Sequence, residues 1–173
     1  MNAKQLRQNT QLSYQQTTHS KRQIYIILDN VLDTYNVGAI FRLADAVAAK
    51  KLFLCGGTET PPNPRIKKAS INTSEIVEWQ YTESALQTIE QLKKTLPGIK
   101  IIAIEQAPNS LPYNKYKYQL PLALVVGNES YGVLPATLKA CDGVVELPMF
   151  GINISLNVMV SLAVVLYQAV TSQ

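Results

Sequence analysis

The stretch LALVVGNESYG, residues 122–132, sets the fold class of this chain. Its first five residues are all apolar, and such a run predicts a strand that is buried on both faces. Further strands are predicted at residues 24–28, 52–55, 76–81, 100–104 and 144–147. Apolar strands separated by helices are typical of a parallel sheet that is covered on two sides.

Apolar residues at helical spacing lie between these runs. They predict helices over residues 38–49, 83–95 and 134–140, and a last helix from about residue 156 to 170. The chain is therefore predicted to form an α/β domain with a mostly parallel six-stranded sheet and helices on both faces. In such sheets ligands bind beyond the carboxyl ends of the strands. The segments after strands one, four, five and six are the candidates for a site.

The composition excludes several classes of protein. The 173 residues fit one domain, and only 16% are charged, so much surface is expected to be hidden in a core or a subunit interface. Two cysteines and one histidine argue against a zinc site. No signal-like apolar run opens the chain, and the apolar stretch at residues 158–170 is too short to span a bilayer. We therefore expect a cytoplasmic protein with no metal and no membrane partner.

Positive charge is concentrated at the start of the chain. Residues 1–23 contain four Lys and Arg and no acid, and the remaining residues are balanced, so the net charge of +4 lies in this arm. We divide the chain into a basic arm over residues 1–23 and a domain over residues 24–173. A basic arm suits contact with phosphates, although a solvated terminus explains the same composition.

The segment NVGAIFR, residues 36–42, follows the first strand. Asn36 is expected to cap the helix, and Gly38 allows a backbone or ligand to approach closely. Arg42 lies opposite the apolar stripe and among alanines. A capped helix with a solvated charge would explain these residues, but so small a face also suits cover by a subunit or a substrate.

Two later segments place polar residues at strand ends. GNESYG, residues 127–132, sets Glu129 between two glycines; it is neither a P-loop nor a dinucleotide motif, and it predicts either an ordinary turn or a cofactor wall. LPMFGINISLNV, residues 147–158, offers Ser155 as the N-cap of the last helix. The same helix start would also attract a phosphate or a carboxylate.

Taken together, these three segments resemble one known family. Asn-x-Gly-x-x-x-Arg at 36–42, Gly-x-Glu-x-x-Gly at 127–132 and Pro-Met-x-Gly-x-x-x-Ser-Leu-Asn-Val at 148–158 are similar to the pattern of SpoU/TrmH-type RNA 2′-O-methyltransferases of the SPOUT superfamily. The resemblance runs from about residue 24 to residue 167. Asn72 stands where the family has a glycine, and Tyr131 where it has a small or charged residue.

The resemblance implies a fold, a reaction and a set of partners. The fold would contain a C-terminal deep trefoil knot, and the protein would work as a homodimer. The reaction would move a methyl group from S-adenosyl-L-methionine to a ribose 2′-hydroxyl in tRNA or rRNA.

The resemblance also assigns residues to roles. The implied catalytic set is Arg42, Asn36, Glu129, Ser155 and Asn157. The implied cofactor pocket consists of Ile104, Glu105, Gly127, Leu147 and Leu156. Because a guanidinium is almost never deprotonated, we expect Arg42 to hold a phosphate and polarise the hydroxyl. RNA would be held by the arm and by Lys21, Arg22, Arg65, Lys67 and Lys68.

Two other interpretations stay open. One is a catalytically inactive RNA-binding protein with the same fold, against which the joint presence of the five catalytic candidates argues. The other is a generic nucleotide-binding α/β protein or small-molecule enzyme. Binding of S-adenosylmethionine tests the first, and methylation of total tRNA and rRNA tests the second.

Overall fold

A seven-stranded parallel sheet forms the centre of the molecule in the computed structural model, which describes residues 21–172. The strand order is β3-β2-β1-β6-β4-β7-β5, and every neighbouring pair is parallel. The strands are β1 (Arg22–Asp29), β2 (Ala49–Cys55), β3 (Trp79–Thr82), β4 (Lys100–Ile104), β5 (Leu111–Pro112), β6 (Leu122–Gly127) and β7 (Gly143–Glu146).

Five α-helices within the described residues connect and cover these strands. They are α1 (Thr34–Ala46), α2 (Pro64–Ser70), α3 (Ala85–Thr95), α4 (Pro135–Ala140) and α5 (Val158–Thr171), with a 3-10 turn at Thr73–Glu75. No helix among residues 21–172 is both long and apolar enough to span a bilayer. In the same range, no three His, Cys, Asp or Glu side chains are grouped so that they could hold a metal ion.

The central strands are buried on both faces, as the apolar runs predict. In β1, Ile24, Ile26 and Leu28 pack into one core with α1 and α5. The intervening Tyr25 and Ile27 pack into a second core with α3 on the opposite face. Helices on both faces of a parallel sheet are thereby confirmed.

The strand count is one higher than predicted. The added strand, β5, has two residues and forms the edge of the sheet beside β7, in a stretch for which no strand was predicted. Two residues are too few to show the alternation of apolar and polar residues that predicts a strand. The third strand also begins later than the predicted residue 76, because the turn at Thr73–Glu75 and the residues after it precede β3.

Both predicted helix caps are wrong. Helix α1 is capped by Asp33, whose carboxylate accepts a hydrogen bond from the backbone N–H of Tyr35 at 2.8 Å. Helix α5 is capped by Asn157, whose Oδ1 accepts from the N–H groups of Met159 and Val160 at 3.0 and 3.3 Å. Asp and Asn are as strong in this position as the residues predicted, so tertiary contacts decide between neighbours. The side chains of Asn36 and Ser155 do not cap these helices and can therefore make other contacts.

Candidate active site

A cavity of about 530 Å³ opens at the carboxyl ends of β4, β6 and β7. These parallel strands deliver their ends to one edge of the sheet, which is where a ligand site is expected. The cavity is lined by residues after each strand and at the start of α5. They include Ile104 to Gln106, Val126 to Gly132, Glu146, Leu147, Met149, Ile154 to Val158, and Ser161.

Two glycines shape the turn after β6. Asn128 and Gly132 form an antiparallel bridge, with N–H···O distances of 3.0 and 2.9 Å. A Cβ on Gly127 would collide with the backbone of Gly132 and Val133. Gly132 has a φ of 69°, and a Cβ there would meet the carboxylate of Glu105. Both positions therefore require glycine, and the backbone stays open towards the cavity.

Buried and half-buried side chains hold the same turn in place. Glu105 Oε2 accepts a hydrogen bond from the N–H of Val133 at 2.9 Å. Asp29 Oδ2 accepts from the N–H of Leu134 at 3.0 Å, and Asp29 is only 1% exposed. The sequence analysis missed Asp29, although a carboxylate directly after an apolar strand was a readable signal.

Three polar side chains form a hydrogen-bonded chain at the cavity. Asn36 Nδ2 donates to Glu129 Oε1 at 2.9 Å, and Asn157 Nδ2 donates to Asn36 Oδ1 at 3.0 Å. Asn36 is 7% exposed and uses both ends of its amide. The first turn of α1, the turn after β6 and the cap of α5 are thus joined to one another.

Glu129 is held as a carboxylate. Its oxygens also accept hydrogen bonds from the backbone N–H groups of Leu32 at 3.1 Å and Asp33 at 3.0 Å. Desolvation acts to raise the pKa of Glu129, but these bonds and the one from Asn36 outweigh it, so the pKa lies below its ordinary value of 4.5. The group is therefore ionised at neutral pH.

The cavity is acidic. Glu105, Glu129 and Glu146 line it, and no Lys, Arg or His is among the lining residues that the structure describes. Negative charge at a concave site attracts a cationic ligand and repels a phosphate. The helix start of α5 offers little to an anion either, since Asn157 already accepts from Met159 and Val160. The hydroxyl of Ser155 has no hydrogen-bond partner within residues 21–172.

The structure gathers most of the predicted site residues. All five residues of the implied cofactor pocket line the cavity, as do three of the implied catalytic set. Asn36 joins them through its two hydrogen bonds. Arg42 does not: it is exposed on α1, about 9 Å further along the helix axis than Asn36 and on another face. No residue in the described range forms a hydrogen bond or an ion pair with Arg42.

The predicted RNA-binding residues lie away from the cavity. Arg65, Lys67 and Lys68 are exposed on α2, and Lys67 forms an ion pair with Glu75 at 2.7 Å. Lys21 lies 4.0 Å from a carboxylate oxygen of Glu78, and Arg22 is exposed at the start of β1. Residues 1–20 of the arm lie outside the described residues.

Comparison with known families adds a decisive observation. The family model described as the SpoU rRNA Methylase family matches residues 23–167. The chain belongs to the SpoU rRNA methylase family. The family resemblance drawn from the three sequence segments is confirmed by this match.

Curated relatives of this SpoU-family chain are RNA-modifying enzymes by name. A tRNA (guanosine(18)-2′-O)-methyltransferase from Aquifex aeolicus is 31% identical over 153 residues, which cover 86% of this chain and 69% of the relative. The 23S rRNA (guanosine-2′-O-)-methyltransferase RlmB from Neisseria meningitidis serogroup B is 32% identical over 85% of this chain and 58% of its own length. The chain thus spans less than two thirds of the RlmB relative.

Solved structures of the family share the fold. The A. aeolicus TrmH/SpoU tRNA modifying enzyme has a TM-score of 0.78 and 28% identity, with 88% of this chain and 76% of that chain covered. The AdoMet-bound rRNA methyltransferase from Sinorhizobium meliloti has a TM-score of 0.78 and 25% identity, with 84% and 55% covered.

The two departures from the family pattern can now be located. Asn72, which stands where the resemblance places a glycine, has a φ of 67°, the left-handed region that glycine favours. Asn is among the few residues that tolerate this region, so the loop keeps a glycine-like conformation. Tyr131 lies in the turn after β6 and lines the cavity.

Proposed function

We propose that this SpoU-family chain is an RNA methyltransferase that transfers a methyl group from S-adenosylmethionine to a ribose 2′-hydroxyl in tRNA or rRNA. The observation that carries the proposal is the hydrogen-bonded chain Glu129–Asn36–Asn157 beside an acidic cavity. This hydrogen-bonded chain connects the segments at residues 36–42, 127–132 and 147–158 beside the cavity. The names of the curated relatives support the same activity.

The cavity fits S-adenosylmethionine. Its volume of about 530 Å³ lies in the usual range for small-molecule sites. Ile104, Leu147 and Leu156 provide apolar wall, and the glycine turn provides backbone groups. The carboxylates suit a ligand that carries a sulfonium and an ammonium group. The AdoMet-bound relative from S. meliloti supports the assignment.

The proposed reaction breaks a sulfur–carbon bond and forms an oxygen–carbon bond at the ribose. The bound methyl donor supplies the electrophilic carbon and its own leaving group. The 2′-hydroxyl loses its proton to an RNA phosphate or to solvent. The protein then has to hold the two reactants in line and keep the hydroxyl polarised, since alignment lowers the entropic part of the barrier.

The described residues divide into positioning groups and contacting groups. Asn36 and Asn157 use both ends of their amides on protein partners, so they fix the site and leave little for a ligand. Glu129 orients the start of α1 through the N–H groups it accepts. Ser155 has a free hydroxyl at the rim of the cavity, and we assign it contact with the ribose or its phosphate.

We assign Arg42 a contact with the RNA rather than with the cofactor. Its guanidinium would grip a phosphate and polarise the hydroxyl. Since the cavity has no cation from its own described residues and Arg42 lies off its rim, we infer that Arg42 acts on the cavity of a second copy. The basic residues of α2 and the arm would then hold more distant phosphates.

A homodimer is supported by the exposed apolar surface. Val160 and Tyr167 are exposed on α5, and Leu32 and Tyr35 are exposed at the start of α1. The Asn36–Asn157 bond ties these two helix starts together. A surface of this kind marks an interaction site. Sedimentation should show a dimer that Val160→Glu dissociates; a monomeric wild-type chain would contradict this inference.

We also retain the C-terminal trefoil knot and a cytoplasmic location as proposals. The knot is supported by the order of the last elements: β7 lies beyond β4 from β6, and the chain then returns past the cavity to α5. If an experimental backbone trace, closed by joining its two ends, reduces to an unknotted loop, the knot is refuted. The location follows from the proposed substrates and is tested by cell fractionation.

Two measurements test the function. Calorimetric titration should show binding of S-adenosylmethionine, and labelled methyl should pass to total tRNA or rRNA. Binding of RNA without the cofactor would favour the inactive RNA-binding alternative. Binding of the cofactor without methylation of any RNA would favour a small-molecule enzyme. Mapping the modified nucleotide in RNA from a deletion strain would identify the substrate.

A further inference from the structure

We propose that Tyr131 is a stacking platform for a nucleobase of the RNA beside the methylated ribose. This inference rests on the proposed function and names a further substrate-positioning residue for it. Tyr131 lines the cavity and is 87% exposed, so its ring lies at the rim. Aromatic side chains that receive unstacked bases are a common feature of single-stranded RNA recognition.

The backbone that carries Tyr131 is fixed in advance. Asn128 Oδ1 accepts hydrogen bonds from the N–H groups of Ser130 at 2.8 Å and Tyr131 at 3.1 Å. Asn128 Nδ2 donates to the carbonyl of Asn30 at 3.0 Å, which ties the turn to the end of β1. Because this turn is already ordered, stacking on Tyr131 requires little additional loop ordering.

Packing does not explain the side chain. Its ring belongs to neither core, and its hydroxyl has no hydrogen-bond partner among residues 21–172. A buried tyrosine usually has a hydrogen-bond partner for its hydroxyl, whereas Tyr131 is neither buried nor, within the described part of the chain, partnered. A flat aromatic face is therefore left at the edge of the proposed reaction site.

A nucleobase suits this position better than the other occupants. The three cavity carboxylates repel phosphates, but a neutral base can approach the rim without bringing its phosphate inside. The 2′-hydroxyl must reach the cavity mouth, which places an adjacent base along the rim where Tyr131 and Ser155 lie. Stacking tolerates any base, so Tyr131 would position RNA without reading its sequence.

A fluorescent reporter tests the contact directly in the full-length chain. Trp79 is the single tryptophan, so Trp79→Phe combined with Tyr131→Trp leaves one emitter at the rim. Tyr81→Trp in the same background is the matched control, since Tyr81 is also an exposed tyrosine but lies on β3, with β2 and β1 between it and β6. The probes are unfractionated tRNA and a short oligoadenylate, with S-adenosylmethionine present.

RNA should quench the emission of the Tyr131→Trp protein and leave that of the Tyr81→Trp protein unchanged. Quenching by the cofactor alone, with no further change on RNA binding, would make Tyr131 a cofactor lid and overturn the inference. So would RNA binding, followed by anisotropy, without quenching. If the emission of the Tyr131→Trp protein shifts when it is diluted into monomers, the ring contacts a second copy of the chain, and the inference is overturned.

Affinity for RNA gives a second readout. Tyr131→Ala should weaken RNA binding about 5- to 100-fold while the cofactor Kd changes less than about twofold, and Tyr131→Phe should behave like wild type. Tyr81→Ala is the control. Equal affinities for all variants would overturn the inference. If RNA quenches the Tyr131→Trp protein and wild type binds RNA but never methylates it, the proposed function fails while the stacking contact stands.

Discussion

Asn36 and Glu129 are 93 residues apart in the sequence, and a hydrogen bond of 2.9 Å joins the Asn36 amide to the Glu129 carboxylate. The other end of the Asn36 amide accepts from Asn157, 121 residues further along the chain. One nearly buried side chain therefore sets the spacing of three segments that frame the cavity. Its removal should affect stability and the site together.

Asn36→Ala should lower the free energy of unfolding by about 1–3 kcal/mol, since both hydrogen bonds of the nearly buried Asn36 amide are lost. The cofactor Kd should rise in parallel, because Glu129 and the cap of α5 are no longer tied. Urea unfolding and calorimetric titration measure the two effects. Asn109→Ala is the control: it is exposed, has no hydrogen bond to a described residue, and should change stability by less than about 0.5 kcal/mol. Similar losses in both variants would contradict the role of Asn36.

Glu129→Gln should change how stability depends on pH. Because the pKa of Glu129 lies below 4.5 in the folded chain, the unfolded chain binds this proton at a higher pH. The stability it contributes is present above pH 4.5 and is lost as the pH falls through the folded-state pKa. The difference in unfolding free energy between wild type and Glu129→Gln should thus be constant near neutrality and shrink on acidification. Urea unfolding at a series of pH values measures it.

The exposed Glu90 of α3 provides a matched control for this experiment. Glu90→Gln removes the same charge far from the hydrogen-bonded chain. If the difference in unfolding free energy from wild type shrinks identically for both variants on acidification, the effect is a general one of charge. A difference for Glu129→Gln that stays constant into the acid range would contradict the lowered pKa.

The sheet was predictable because burial on both faces leaves a strong pattern. Strand β4 has the predicted bounds, and β1 and β6 extend them by only one or two residues at an end. The short edge strand β5 and the helix α2 were not predicted. Helix α2 has seven residues, of which only Ile66 and Ser70 are buried, so its apolar stripe is too weak to read.

The sequence could indicate residues that line the cavity, but not the hydrogen bonds that connect them. Periodicity could not choose between Ser155 and Asn157 as the cap of α5, since both are good N-caps. The choice is explained by Asn157 reaching Asn36, a contact between distant segments. The same is true of Asp29, whose partner is a backbone N–H of Leu134. Hydrogen bonds between residues so far apart in the chain produce no periodic pattern that a single sequence could reveal.

Gly127→Ala should close the proposed cofactor site. The added methyl would collide with the backbone of Gly132, which must move and break the bridge to Asn128. We expect a loss of about 1–3 kcal/mol in stability from overpacking, and a cofactor Kd raised beyond detection in calorimetry. Gly151→Ala is the control, because a Cβ there meets nothing within 4 Å. Normal cofactor binding by Gly127→Ala would contradict the placement of the site.

Arg42→Ala should separate catalysis from cofactor binding. Arg42 does not line the cavity, so the cofactor Kd should stay within about twofold of wild type. Methyl transfer should fall by about 100-fold or more, the usual cost of losing one polarising donor. Calorimetry and single-turnover methylation measure the two quantities, with Lys94→Ala, exposed on α3, as the control. Lost cofactor affinity with normal turnover at saturation would refute the assignment.

Mixing variants decides whether Arg42 acts on its own cavity or on that of a second copy. Arg42→Ala and Gly127→Ala chains, each inactive alone, form mixed dimers when they are unfolded and refolded together. If Arg42 acts across the interface, one site of each mixed dimer combines an intact cavity with an intact Arg42. Random pairing then restores about a quarter of wild-type activity in a twofold-symmetric dimer. If Arg42 acts within its own chain, every site carries a lesion and the mixture stays inactive. Refolded Gly127→Ala alone, checked for native circular dichroism, provides the baseline for the comparison.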